Sequence, residues 1–155
     1  MSRTRTFIIG QAAALAALLS PVSPMAAQSS YGSEAQARAM LNRAVVAMKK
    51  DKTKALEMFN KGASGFKDRD LYVFCASAVD GTLTAHPYLK GEHLQDIVGK
   101  KGYPLGKEIM QKATEGQIKQ VAYWWPRPGS DKPLQKQTFY TKVEGQNCGV
   151  GFYKG

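Results

Sequence analysis

The sequence predicts an α+β domain in which helices come first and a meander of antiparallel strands follows, with one helical insertion after the second strand. Three observations point there. Apolar residues recur at helical spacing from Ala37 to Met48. Beyond residue 70 the apolar stretches are short and bounded by turn residues. One segment among them, opened by Pro104 and closed by Gly116, reads as a helix, because proline suits a first helical turn.

The elements follow in order. Ser33 is placed to cap a helix, with Gln36 at capping-box spacing. Ala37, Met40, Leu41, Ala44, Val45 and Met48 line one face of it. Asp51 caps a second helix that carries Ala55, Leu56, Phe59 and Ala63, and Gly62 and Gly65 stop it. Leu71 to Val79 is a nearly continuous apolar run, read as the first strand. Asp80-Gly81 is a hairpin turn, and Thr82 to His86 is the second strand, ended by Pro87. A loop with Gly91, Gly99 and Gly102 leads to the inserted helix. Gln117 to Trp125, Leu134 to Val143 and Asn147 to Lys154 complete five strands. Pro126, Pro128, Gly129 and Pro133 stiffen one connection, and Glu144-Gly145 tightens the last. The first and third strands are apolar on both faces, so both faces of the sheet are expected to be covered. The N-terminal helix accounts for one face. The loop between strands two and three must cover the other, and a small ligand can sit beneath it.

Residues 1–27 have the layout of a secretory signal peptide. Arg3 and Arg5 precede a thirteen-residue apolar segment, Phe7 to Leu19, and Pro21, Pro24 and the small pair Ala26-Ala27 follow. A spanning helix needs about 20 apolar residues, so the segment is read as a cleaved signal rather than an anchor, with cleavage after Ala27. No second stretch is long and apolar enough to span a bilayer. The expected product is one domain, residues 28–155, periplasmic or secreted. With Arg3 and Arg5 removed, 20 basic residues face 12 acidic ones, a formal charge of +8. The lysines are scattered, without a run of five, as on a solvated basic surface. An exported chain meets little nucleic acid, so none is expected as a partner.

No nucleophile elbow, phosphate loop, paired-carboxylate or Cys-His arrangement is present at recognisable spacing, so no catalytic residue, cofactor or enzyme activity is expected. His86 and His93 lie seven residues apart across Pro87, near Glu92 and Asp96, which is not a metal-ligand spacing. Cys75 and Cys148 are the two cysteines. In an oxidising compartment such a pair is read first as a disulfide, with two buried thiols as the alternative.

Several of these pieces, in this order, resemble the single Cache domains of the PAS-like extracytoplasmic sensors, over roughly residues 34–153. They are Asp70-Leu71-Tyr72-Val73-Phe74, then Asp80-Gly81-Thr82 with Ala85-His86-Pro87. Gly91, Leu94 and Asp96 follow in the loop, then Tyr123-Trp124-Trp125-Pro126 with Pro128-Gly129. Lys136 and Gly149-Val150-Gly151-Phe152-Tyr153 close the set. The chain departs from the family pattern at Gly99-Lys100-Lys101-Gly102, where an acidic residue is usual before the glycine, and at its two cysteines. The resemblance implies that the first and last strands lie side by side. Cys75 and Cys148 are then expected to bridge them, closing 73 residues of chain, worth about 4 kcal/mol in the loop-entropy account.

Family members commonly bind small organic acids or amino acids, and the resemblance implies a small carboxylate here. Five residues are assigned to the pocket. His86 is either a satisfied strand-end histidine or a hydrogen-bond donor to an anion. Tyr123 and Trp125 alternate with Trp124, so they share a face and form an aromatic wall. Tyr103 is placed as a lid. Lys136 either supplies positive charge or is a solvated lysine at a strand start. With no output domain after the signal, the expected role is sensing through a partner such as a membrane receptor or sensor kinase. The alternative is a ligand-free structural or interaction module of the cell envelope.

Overall fold

The computed structural model describes residues 29–154, so the signal-peptide reading of residues 1–27 lies outside the described residues. Helix α1 (Glu34–Lys50) begins with a full capping box: the Ser33 hydroxyl accepts the Gln36 amide, and the Gln36 side chain accepts the Ser33 amide at 2.9 Å. Asp51 then closes α1 and opens α2 (Lys52–Lys61), its carboxylate accepting the Lys54 amide at 3.0 Å. Gly62 ends α2 with a φ of 63°, the left-handed cap that glycine adopts without strain. Ala63, expected in this helix, falls in the 3₁₀ turn Ala63–Gly65 that follows.

Among the described residues six strands are present rather than five. The additional one is β1 (Lys67–Asp68), two exposed residues too few to carry any periodicity. β2 (Leu71–Ser77) and β3 (Leu83–Ala85) are the first two expected strands, shortened where Asp80 accepts the Thr82 amide and Gly81 turns the chain at a φ of 77°. β4 (Lys119–Pro126), β5 (Pro133–Val143) and β6 (Gln146–Tyr153) complete an antiparallel sheet of order β1-β2-β6-β5-β4, with β3 also paired to β2. The chain's first long strand thus lies beside its last. Cys75 of β2 stands opposite Cys148 of β6, and the two are disulfide-bonded.

Alternation along β2 divides the core in two. Leu71, Val73 and Cys75 face α1 and α2, packing with Leu41, Met48 and Phe59. Phe74 and Ala76 face the other way, toward Leu94, Leu105 and Ile109 of the segment joining β3 to β4. That segment holds the inserted helix α3 (Leu105–Lys112), shorter than the expected span. Gly106 lets α3 press onto the 3₁₀ turn Leu94–Asp96: a Cβ there would sit 1.5 Å from the Leu94 carbonyl oxygen. Both sheet faces are covered, and the second cover is made of loop and short helix. Among the described residues no helix is long and apolar enough to cross a membrane.

Candidate ligand-binding site

Beneath the second cover, against the sheet, lies a small cavity of about 30 Å³. Leu83, Leu94, Leu105 and Ile109 make its apolar side, and Tyr72, His86, Tyr123, Lys136 and Thr138 its polar side. Outward it meets a wider groove of about 240 Å³; Tyr72, His86, Leu89 and Trp125 border both spaces. Among the described residues no three metal-ligating side chains gather at binding distance.

Lys136 is the central group. It is not solvated: β5 begins earlier than the residue itself, which falls on the inward face and is 2% exposed. Its ammonium donates to the Tyr72 hydroxyl at 3.2 Å and lies 4.7 and 4.8 Å from the centres of the Tyr72 and Tyr153 rings. Among the described residues no carboxylate pairs with it. Burial pushes its pKa below the ordinary lysine value, while Tyr123 and Asp70 pull the other way.

His86 follows β3. Its Nδ1 accepts the amides of Tyr88 at 3.0 Å and Leu89 at 3.1 Å, so Nδ1 carries no proton. In the neutral ring Nε2 is then the protonated nitrogen, the one donor this side chain can offer. A structural duty at one nitrogen therefore sets the polarity of the other. Burial, followed by the charge of Lys136, pulls the pKa of His86 down to about 4.

Tyr123 shares a 2.8 Å hydrogen bond with Thr138, and burial raises its pKa so that it keeps its proton. Trp125 stands edge-on to it with ring centres 6.2 Å apart, while Trp124 on the opposite face carries Lys101 over its ring at 3.5 Å. The alternation expected of this strand is therefore present. Tyr103 is not brought into the cavity. The loop hydrogen bonds Lys100 to Trp124, which carries Tyr103 to a separate cleft beside Lys100, Lys101 and Trp124. Its hydroxyl donates to Glu108, a bond that raises its pKa to about 12.

These cavity walls are drawn from β2, the end of β3, the inserted segment and the paired strands β4 to β6. Residues 11–153 match the family described as Single Cache domain 2. The chain belongs to that family. Its fold is similar to a methyl-accepting chemotaxis protein from Vibrio parahaemolyticus RIMD 2210633, at a TM-score of 0.60 and 19% identity over 77% of this chain and 87% of that one. A Cache chemosensory domain solved for its carboxylic acid recognition superimposes at 0.55, with 20% identity over 76% and 85%. A periplasmic sensor domain of a chemotaxis protein gives 0.53, with 22% identity over 76% and 88%. At such identities the likeness is one of fold. No curated protein is similar enough to register as a match.

Two parts of this Cache domain's site escaped the sequence reading. Tyr72 and Thr138 complete the polar wall, and alternation along β2 and β5 was the signal that could have found them. Beside the cavity, buried Asp70 accepts the Gly32 amide at 2.7 Å and pairs at 3.2 Å with Arg127, which borders the wider groove. Arg127 lies over the rings of Tyr31 and Tyr153, at 3.8 and 4.7 Å. No spacing rule links residues 57 positions apart.

The histidine supplies a pH test. Its pKa is about 4 in the folded domain against 6.5 unperturbed. Between these values the unfolded chain takes up a proton that the folded one refuses. The contribution is therefore complete above pH 6.5 and is lost as the pH falls toward 4, a difference of about 3 kcal/mol. Urea unfolding at pH 7 and pH 4 is expected to show a smaller acid loss in His86→Gln than in wild type. Equal losses would show that the histidine is not the group refusing the proton.

Proposed function

We propose that this Cache domain is an exported sensor that binds a small carboxylate in the cavity and passes occupancy to a partner, such as a membrane receptor or sensor kinase. One observation carries the reading: a buried ammonium whose one hydrogen-bond partner among the described residues is a phenol. A buried cation with no carboxylate at ion-pair distance is costly, and an anion placed against it relieves that cost. The neighbouring donors suit a carboxylate, which takes hydrogen bonds on both oxygens: Lys136 Nζ, His86 Nε2–H and the Tyr123 hydroxyl. The apolar side accepts a short hydrocarbon tail, and the cavity's size favours acids of two or three carbons. The Cache chemosensory domain solved with carboxylic acid recognition in view supports the ligand class. The signal-peptide layout read in residues 1–27 supports export, which an intact mass lacking those residues would establish.

Thermal-shift and calorimetric titrations with acetate, propionate, pyruvate and lactate test the ligand class, with acetamide and propionamide as neutral isosteres. The acids are expected to stabilise the domain, by about 2.7 kcal/mol at a hundredfold excess over Kd, and the amides are not. Binding of amines or sugars without any acid would sink the proposal. No binding by any of them would leave the ligand-free envelope module as the reading.

A further inference from the structure

Gly151 sits on β6 where the sheet changes hands between the two strands that build the anion site. Thr138 of β5 is its pairing partner on one side. On the other, the β2–β6 register that sets Val73 opposite Val150 sets Tyr72 opposite Gly151. A side chain in a strand normally stands away from the sheet, and one at position 151 would stand between Lys136 and Tyr72. The glycine removes it. A Cβ there would lie 2.4 Å from Lys136 Cε, 3.3 Å from its Nζ and 2.7 Å from Thr138 Oγ1. The lysine stem thus occupies the space a side chain would fill, and its ammonium crosses β6 to reach the Tyr72 hydroxyl.

Backbone conformation does not ask for glycine at this position. Gly151 is absent from the left-handed φ region that holds eight other glycines, and it lies in a regular ladder open to any residue. The requirement is one of space, and the occupants of that space are the Lys136 stem and, beside it, the Thr138 hydroxyl. We propose that Gly151 is a positioning residue for anion binding, a missing side chain that forms the slot holding the Lys136 ammonium in the cavity. This rests on the carboxylate reading for its function, though the slot can be tested without any ligand.

The test is a double-mutant cycle on thermal stability joining Gly151→Ala and Lys136→Ala. Gly151→Ala alone is expected to lower the Tm by several degrees. In the Lys136→Ala background the closest obstacle, the lysine stem, is gone and only the Thr138 hydroxyl must turn aside, so the same change is expected to cost less than half as much. A glycine needed for backbone reasons, or for the Thr138 hydroxyl alone, gives equal losses in both backgrounds, and that result would overturn the proposal. Should Gly151→Ala not fold at all, recovery of folding in the double variant supports it and failure there overturns it. With propionate as the probe, Gly151→Ala is expected to lose at least tenfold in affinity while keeping its circular dichroism, and unchanged affinity would overturn the proposal. If wild type itself ignores propionate, the functional reading fails, and the stability cycle still decides the role of Gly151.

Discussion

Replacing Lys136 by Met is expected to make the empty domain more stable and to abolish carboxylate binding, two changes of opposite sign from one substitution. The stem of Lys136 is packed between Tyr72, Tyr153 and Gly151, and methionine fills most of that volume. What methionine removes is the buried charge, whose desolvation is only partly offset by the Tyr72 hydroxyl and the two ring faces. Relief of that cost is expected to raise unfolding stability by about 1 kcal/mol. Loss of the charge-assisted bond to the ligand is expected to cost about 3 kcal/mol of binding, roughly a hundredfold in Kd. Urea unfolding and titration with propionate read the two effects separately. A destabilised variant that still binds the acid would show that the lysine is structural.

Converting Cys75 and Cys148 together to Ala is expected to cost about 4 kcal/mol, the loop-closure value for 73 residues. Domains of this size hold only about 5–15 kcal/mol in total, so the variant loses a large share of its margin. Both sulfurs are fully buried, in the core beneath α1 and α2. A reductant is therefore expected to act at the rate of opening rather than at the surface, and native protein should resist it far longer than protein in urea. Denaturation midpoints of wild type and variant check the first claim, and thiol release over time checks the second. A loss below about 1 kcal/mol would mean that the reduced chain keeps the two strands together unaided, against the loop-closure account.

Much of the fold was legible because its signals are local. The Ser33–Gln36 capping box and the double use of Asp51 are set by residues three apart, and both stand in the structure. The apolar run from Leu71 to Val79, with residues on both faces, implied two covered faces, and two cores are found among the described residues. β1 was illegible, since two polar residues have no period, and it forms because the chain must turn back onto Leu71 and Tyr72. Tyr103 was assigned by proximity to the inserted helix, and the Lys100–Trp124 hydrogen bond carries it elsewhere.

Alone, then, the sequence determined a helical cover, a set of short antiparallel strands, a second cover of loop and short helix, and the alternation placing Tyr123 and Trp125 on one face. The strand order is not the expected meander, because β2 pairs with β6. The sequence offered Lys136 as either a charge or a solvated end, and His86 as either satisfied or free. Tertiary structure decided both. Lys136 is buried because Gly151, from another strand, leaves it a slot and Tyr72, from a third, meets its ammonium. His86 is at once satisfied and available, since two turn amides occupy Nδ1 and leave the proton on Nε2. The physical reason is the same for both. Strand periodicity fixes the face a side chain takes, whereas its depth and its proton depend on partners that only the register of the sheet and the turn of the chain bring within reach.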